Sequence, residues 1–269
     1  MIKSARPTMR STAKSASVTP PDLIEYSRAI GDPARDYVIL GEGNTSLSVG
    51  DGTFWVKASG RKLATASADD FVRVRSDSLL AMLSSACVPS AADTLAALRA
   101  AKVGRQDGPL PSVEAVLHAV CLAAPAICCV AHSHPTAINA VTCSVTFAGA
   151  LRGRLFPDQT VVCGTDSLLI KYVDPGLALA KVVAGKLGSF VRTHGRAPRT
   201  IYLQNHGFIA LGESPQDVLN ITAMADKAAR ILIGTYALGG PRLMPATEVR
   251  RIDQRLDEAY RRKEIKRQR

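Results

Sequence analysis

The feature that most constrains the fold is an alternation of helix-like and strand-like segments from Asp22 onward, with only short breaks between them. Helices are predicted for residues 21–30, 76–84, 93–102, 112–124, 175–192, 214–233 and 248–266. Strands are predicted for residues 53–57, 127–131, 160–163, 201–204 and 208–211, with a glycine-rich turn at 41–46. Strands that alternate with helices in this way indicate a layered α/β domain.

Length and charge distribution indicate how the chain is organised. A chain of 269 residues is long enough for one large α/β domain, and we predict a single domain over residues 22–269 that ends in a charged helix and tail. Residues 1–21 are predicted to be a disordered basic leader, because they are rich in Ser and Thr and lack an apolar pattern. The net charge of +11 is concentrated at the two ends of the chain, so we expect no sequence-specific binding of nucleic acid.

The six cysteines and the apolar segments favour a cytoplasmic protein without a membrane span. No C-x-x-C pair occurs, and most cysteines lie among Ala, Val and Ile, so we interpret them as reduced and buried. The longest apolar run, residues 119–131, is too short for a membrane helix and is interrupted by Pro125. The N-terminus lacks the apolar segment of a secretory signal.

Two histidines follow the strand predicted at residues 127–131. His132 and His134 are two residues apart, so in an extended segment both imidazoles point to the same face and can reach one ion. His206 lies in a sharp turn at residues 205–207, between two predicted strands. Three imidazoles leave a metal ion with one or two open positions, which is typical of a catalytic zinc site. An H-x-H pair alone is weak evidence, because histidines are also common on the surface and at the edge of the core.

A carboxylate precedes these histidines in the sequence. Glu114 and His118 lie four residues apart on one face of the helix predicted at 112–124, for which Ser112 is a candidate N-cap. Near a bound metal, Glu114 could be a general base or a fourth ligand. It could also merely complement the positive end of the helix, the interpretation that periodicity alone favours.

Two loops, residues 41–46 and 58–60, are rich in small residues whose backbone N–H groups can bind phosphate or carboxylate. Both could equally be ordinary turns. The first loop is not a P-loop, because no Gly-Lys-Ser/Thr follows, and it is not a Rossmann fingerprint, because Ser46 stands where the third glycine belongs.

Five short motifs occur in the order and approximate spacing of one known family. They are Gly-Asn-Thr-Ser at 43–46, Lys-Ala-Ser-Gly at 57–60, Pro-Ser-Val-Glu at 111–114 with His118, His-Ser-His-Pro at 132–135 and Asn-His-Gly at 205–207. Over about residues 22–235 the chain thereby resembles the class II aldolase/adducin family. The resemblance implies a three-layer αβα sandwich with a central mixed β-sheet, assembled as a homotetramer with sites between subunits.

The resemblance also implies roles for individual residues. His132, His134 and His206 match the zinc ligands of the family. Glu114 matches the acid/base glutamate of its sugar-phosphate aldolases. The loops that bind the substrate phosphate and the enediolate are matched by Asn44, Ser59, Gly60 and Ser112.

Two departures from the aldolase pattern bear on the substrate. Gly41 and Glu42 stand beside the glycine–Asn turn, and Val113 precedes Glu114, where sugar-phosphate aldolases of the family have hydroxyl residues. Two phosphate-facing hydroxyls are therefore missing, which leaves open whether the substrate is phosphorylated. The related epimerases carry Asp at the position of Glu114, and adducin-like members lack zinc ligands that this chain keeps.

Together these features predict a zinc-dependent carbon–carbon lyase that cleaves a ketose or ketose-phosphate through a metal-stabilised enediolate, with Glu114 moving the proton. Decarboxylation of a 3-oxo sugar acid or its phosphate at the same site is one alternative. An adducin-like interaction protein, whose basic C-terminal tail binds an acidic partner, is another. The expected cofactor is zinc or another divalent metal, and the expected partners are a small sugar substrate and further copies of this chain.

Overall fold

A computed structural model describes residues 19–84, 90–104 and 106–267. Its helices are α1 Pro21–Ile30, α2 Ser76–Ala81, α3 Ala91–Ala100, α4 Ala115–Leu122, α5 Thr136–Thr142, α6 Phe147–Ala150, α7 Pro157–Cys163, α8 Leu177–His194, α9 Pro215–Tyr236, α10 Ala246–Gln254 and α11 Leu256–Arg267. Its strands are β1 Asn44–Ser48, β2 Thr53–Lys57, β3 Phe71–Arg75, β4 Cys129–Ser133, β5 Leu168–Ile170, β6 Thr200–Leu203 and β7 Gly207–Gly212.

The strands form one seven-stranded sheet in the order β3-β2-β1-β4-β7-β6-β5. Neighbouring strands are antiparallel, except for β5 and β6, which are parallel, so the sheet is mixed. β4 lies in the middle of the sheet and every one of its residues is buried. The segment that carries the first two site histidines therefore leaves the sheet from its most enclosed strand.

Helices cover both faces of this sheet. Because successive strand residues point to opposite faces, Cys129 and Ala131 of β4 pack into a core cluster with α1, α5 and α9. Val130 packs into a second cluster with α4 and α8 on the other face. The chain is thus a three-layer αβα sandwich with a central mixed sheet, as the sequence predicts.

The predicted strand at residues 160–163 is wrong, because this segment is part of helix α7. Pro157 occupies the first turn, where a missing backbone N–H costs nothing, and Asp158 lies at the positive end of the helix. Gly164 follows α7 with φ of 79°, which favours glycine and ends the helix. The buried side chains of Thr160 and Val161 therefore belong to a short helix rather than a strand.

Other differences concern element ends and short strands. The predicted turn at 41–46 includes the start of β1, and β3, β5, α5 and α6 have no counterpart among the predicted elements. The predicted terminal helix at 248–266 is divided into α10 and α11, because Arg255 has extended backbone between them. Ser112 is not the N-cap of α4; Glu114 occupies that position.

Of the cysteines that the structure describes, all are free, and Cys121, Cys129 and Cys163 are buried as predicted. Cys128 and Cys143 are exposed, and Cys87 lies outside the described residues. Within the described ranges, no helix combines the length and apolar character that crossing a bilayer requires.

Residues 1–18 of the predicted leader lie outside the described part of the chain. Thr19 belongs to the fold, since it is buried and its hydroxyl donates to the carbonyl of Ala68 at 3.0 Å. Helix α1 begins two residues later, at Pro21.

Candidate metal centre and active site

The central strands bring the three predicted metal ligands together. His132 is the fourth residue of β4 and pairs with Ile209 of β7, while His134 follows the end of β4. His206 lies in the tight connection between β6 and β7, which are adjacent antiparallel strands. All three imidazoles therefore lie at one end of the central strands.

The side-chain nitrogens of these histidines converge. The Nε2 atom of His132 lies 3.0 Å from Nε2 of His134 and 3.2 Å from Nε2 of His206. The ligand atoms that the three residues offer all lie within 4.8 Å of one another. Neutral imidazole nitrogens that converge in this way suit a divalent metal ion, so the cluster could hold one.

Outer contacts set the orientation of two of these rings. Nδ1 of His132 lies 3.0 Å from the carbonyl oxygen of Phe208, and Nδ1 of His134 lies 3.0 Å from Oε2 of Glu42. Since a carbonyl and a carboxylate are acceptors, each Nδ1 carries the hydrogen and each Nε2 keeps its lone pair for a ligand. Nδ1 of His206 is buried and has no hydrogen-bond partner among the described residues.

A glycine permits this close packing of the rings. A Cβ atom on Gly207 would lie 2.5 Å from Cδ2 of His134 and 2.8 Å from the carbonyl oxygen of Ser133. A backbone oxygen and the ring of a short side chain cannot easily move aside to make room for this atom. The Asn-His-Gly motif therefore needs its glycine for space beside the cluster.

Glu114 belongs to the helical layer and lies beside the three histidines. It is the N-cap residue of α4, and its Oε2 and Oε1 atoms lie 3.5 Å from Nε2 of His132 and 3.7 Å from Nε2 of His206. Burial raises the pKa of Glu114, but the neighbouring imidazole of His132 and a hydrogen bond from Asn44 lower it, to about 2. The carboxylate is thus ionised at neutral pH. Its Oε1 atom accepts no hydrogen bond from the described residues.

Asn44 of β1 connects Glu114 to His118, a buried residue of α4. Its Nδ2 donates to Oε2 of Glu114 at 2.8 Å and to Oγ of Ser112 at 3.2 Å, while its Oδ1 is bonded to Nε2 of His118. Ser46 donates its hydroxyl to Nδ1 of His118 at 2.6 Å. Burial lowers the pKa of His118 to about 3, so this ring is neutral and donates from Nε2 to Asn44. The chain of contacts fixes which way the Asn44 amide points.

The second predicted loop lies at the end of β2. Ser59 and Gly60 are exposed, and Gly60 has φ of 72° with open space around it. Among the described residues, no hydrogen bond joins the Ser59 side chain to the histidine cluster. A backbone hydrogen bond joins the start of this loop to the segment before α4: the N–H of Ser112 donates to the carbonyl of Lys57 at 3.0 Å.

Lys57 links this loop to the turn before β1. Its ammonium group is buried and donates to the carbonyl of Gly41 at 2.9 Å and to that of Arg61. Burial lowers its pKa to about 8, opposed in part by the charges of Glu114 and Asp70. Lys57 begins the Lys-Ala-Ser-Gly motif at 57–60, but its role in holding the two loops together follows only from these contacts.

The roles of His118 and Glu42 are likewise not evident from the sequence alone. His118 had a visible signal, its spacing of four residues from Glu114, but its partners Asn44 and Ser46 come from β1. Glu42 had a signal only as an acidic residue inside a glycine-rich turn. Its contact with His134 depends on how that turn folds.

An αβα sandwich with a three-histidine cluster beside a buried carboxylate offers a site that could hold a metal ion next to a candidate acid/base group. The family model of the Class II Aldolase and Adducin N-terminal domain matches residues 21–233. The chain belongs to the class II aldolase/adducin family.

A curated relative is the protein named uncharacterized oxidoreductase YuxG of Bacillus subtilis (strain 168). It is 26% identical over 243 residues, which are 86% of this chain and 32% of the relative. The chain therefore spans about a third of the length of the curated relative that it matches.

Several solved structures share the fold at low sequence identity. An L-fuculose 1-phosphate aldolase has a TM-score of 0.65 at 19% identity, covering 88% of this chain and 97% of that one. The N-terminal class II aldolase domain of a conserved protein from Thermoplasma acidophilum has a TM-score of 0.62 at 23% identity, covering 86% and 98%. An aldolase II superfamily protein from Pseudomonas syringae has a TM-score of 0.60 at 16% identity, covering 93% of each chain.

Proposed function

We propose that this protein is a zinc-dependent carbon–carbon lyase that cleaves a ketose or ketose-phosphate, with Glu114 as the acid/base residue. The observation that carries the proposal is the Glu114 carboxylate, 3.5 and 3.7 Å from two of three converging imidazole nitrogens. A divalent cation held by His132, His134 and His206 supplies Lewis-acid stabilisation of negative charge on substrate oxygens. Zinc suits three imidazole ligands with one position left for substrate.

Glu114 is placed to move a proton at the substrate carbon. Its low pKa keeps it ionised, and its unpartnered Oε1 atom is free to accept. In the condensation direction Glu114 takes a proton from the carbon next to the ketone, which leaves the electron pair for the new carbon–carbon bond. In the cleavage direction the hydroxyl of the departing fragment loses its proton to solvent as it becomes the aldehyde carbonyl. The electron pair of the broken bond returns to the carbon next to the ketone, and protonated Glu114 gives that carbon a proton.

The polar residues around Glu114 support a sugar substrate. We propose that Asn44 and Ser112, which lie beside the carboxylate, bind oxygens of the sugar. We assign Ser59 and Gly60, on the exposed loop after β2, to the far end of the substrate, whether that end carries a phosphate or a hydroxyl.

The proposal extends to assembly and location. Ile39, Leu40 and Val113 are 63%, 77% and 52% exposed beside Glu42 and Glu114. Exposed apolar side chains grouped near a site are typical of an interface. These side chains support a site near a subunit boundary; by resemblance to the family we propose that the assembly is a homotetramer, and the free cysteines support a location in the cytoplasm.

The two alternatives use the same residues differently. A decarboxylase of a 3-oxo sugar acid would release carbon dioxide instead of an aldehyde, and the same Glu114 would protonate the carbon left behind. An adducin-like interaction protein would need neither a metal nor Glu114. The three converging nitrogens disfavour that second alternative, because an interaction surface has no use for them.

The metal site is tested by zinc content. The purified protein is expected to hold about one zinc ion per chain, and His132→Ala, His134→Ala and His206→Ala each to lose most of it. His194→Ala is the matched control, since His194 is exposed at the C-terminal end of α8 and is not one of the three converging histidines. Stoichiometric zinc in the His206→Ala protein would remove that residue from the site.

The reaction is tested by product analysis. The zinc-loaded protein is incubated with a panel of ketoses, ketose-phosphates and 3-oxo sugar acids, and released aldehyde and carbon dioxide are measured separately. Aldehyde release supports the lyase, and carbon dioxide release supports the decarboxylase instead. A zinc-loaded protein that releases neither from any compound contradicts the proposed lyase.

A further inference from the structure

Glu42 contacts one metal-binding histidine from outside the cluster. Its Oε2 atom lies 3.0 Å from Nδ1 of His134, and its Oε1 atom accepts a hydrogen bond from the backbone N–H of Ile39 at 2.7 Å. Both side chains are mostly enclosed, with 31% of Glu42 and 20% of His134 exposed. One carboxylate thereby joins the turn before β1 to the exit of β4.

The turn holds this carboxylate in place through its backbone. The N–H of Glu42 donates to the carbonyl of Ile39 at 3.2 Å, which closes the turn, and Lys57 donates to the carbonyl of Gly41. Gly43 follows with φ of 69°, where a Cβ would lie 2.8 Å from the carbonyl oxygen of His132. The position of Glu42 is therefore set by the packing of the turn against β4.

The three histidines differ in their outer partners. Nδ1 of His132 faces a neutral carbonyl, and Nδ1 of His206 has no partner among the described residues. In the part of the chain that the structure describes, only His134 has a carboxylate there. A carboxylate that accepts from Nδ1 fixes the tautomer and makes Nε2 a stronger donor to a metal.

We propose that Glu42 is a positioning residue that orients His134 and strengthens the hold of the cluster on a divalent metal, an inference that rests on the metal site of the proposed function. This role requires no contact of Glu42 with the metal or the substrate. Glu42 acts through the ring of His134. The resemblance to sugar-phosphate aldolases left this acidic residue as an unexplained departure, and this contact gives it a role.

The alternative is that Glu42 only stabilises its own turn through Ile39. The two roles separate in the Glu42→Gln variant. An amide has one oxygen, so it cannot accept from both the Ile39 N–H and the His134 Nδ1–H. If the oxygen stays with Ile39, the amide NH₂ faces Nδ1 and favours the wrong tautomer of His134. The turn is then kept while the contact with His134 is lost.

The experiment measures the zinc dissociation constant of the full chain by competition with a chromophoric chelator. Glu42→Gln and Glu42→Ala are expected to bind zinc about 10-fold to 100-fold more weakly than wild type. Glu25→Gln, an exposed glutamate on α1, is the control and should bind as wild type does. In ¹⁵N NMR spectra, the Nδ1-bound proton of His134 should be observed in wild type and lost in Glu42→Gln.

The outcomes distinguish this inference from the proposed function. Wild-type zinc affinity in Glu42→Gln, with melting temperature lowered only in Glu42→Ala, would leave Glu42 as a turn residue and overturn the inference alone. A His134→Ala protein that binds zinc like wild type would overturn the metal site itself, and the inference with it. Weak zinc binding in a Glu42→Gln protein that melts like wild type supports the inference.

Discussion

Asn44 lies directly opposite His132 in the antiparallel pairing of β1 with β4. Both side chains point to the face that α4 covers, where Asn44 donates to Glu114 and is bonded to His118. A single pair of neighbouring strand residues thus joins the three-histidine cluster to Glu114, the proposed acid/base residue, so that a change at either strand residue affects both parts of the site.

Replacing Glu114 by Gln is expected to lower turnover by about 100-fold to 10,000-fold, because the amide keeps the shape of the side chain but cannot accept a proton. Zinc content should barely change, since three histidines remain. Zinc content, melting temperature and turnover are measured on the same preparation. Lost zinc would make Glu114 a ligand, whereas full turnover with a loss of about 0.3–1 kcal/mol in stability would leave it only complementing the helix.

Replacing His118 by Leu removes two buried hydrogen bonds and frees the Asn44 amide to turn. The free energy of unfolding is expected to fall by about 1–3 kcal/mol, because Ser46 and Asn44 lose a partner. Turnover should fall by about tenfold with zinc content unchanged, equivalent to about 1.4 kcal/mol in the barrier. Leu117→Ala on the same helix is the control: it loses buried contacts in the core without touching Asn44 and should keep wild-type turnover per folded molecule.

Replacing Gly207 by Ala is expected to displace His134 and to destabilise the protein by about 1–3 kcal/mol, since the added Cβ lies 2.5 Å from the ring. Zinc content should fall together with the melting temperature. Gly185→Ala in α8 meets nothing within 4 Å and should instead gain about 0.4–1 kcal/mol. A Gly207→Ala protein with full zinc content would contradict the close packing described for the cluster.

The buried Lys57 predicts a dependence of stability on pH. Its pKa is about 8 in the folded protein, against about 10.4 in an unfolded chain. Between these values the unfolded chain binds more protons, so the free energy of unfolding rises with pH, on the order of 3 kcal/mol once the pH exceeds both.

Urea unfolding at pH 7, 8.5 and 10 measures this effect as the difference between wild type and Lys57→Met. Other titratable groups contribute nearly the same pH dependence to both proteins, so their contributions largely cancel in the difference. A parallel pH dependence of the two proteins would show that Lys57 keeps its ordinary pKa.

Most of the longer helices and the three histidines of the cluster could be predicted from the sequence because their signals are local. α1 spans the predicted residues, with Pro21 at its start. The two histidines after β4 follow a short apolar run, and His206 precedes a glycine in a turn between two strands. In each case neighbouring residues carry the pattern, and no distant contact is needed to recognise it.

Other features depend on contacts between distant segments. The bond between Glu42 and His134 joins residues 92 apart in the sequence, and that between Asn44 and His118 joins residues 74 apart. At residues 160–163 the β-branched residues favour a strand by propensity, yet packing of α7 against α9 buries them in a helix. The free energy gained by burying these side chains outweighs their intrinsic preference for a strand, which explains why the strand prediction there is incorrect.

The alternation of side chains along β4 determines where the chain tolerates a change of length. Deleting one residue within β4 would carry His132 from the face of α4 to the face of α5 and α9, away from Glu114. The turn between β1 and β2 differs, because Gly50 and Gly52 face open space there. We expect insertions and deletions among relatives of this chain to collect in that outer turn, while the spacing from Cys129 to His134 stays constant.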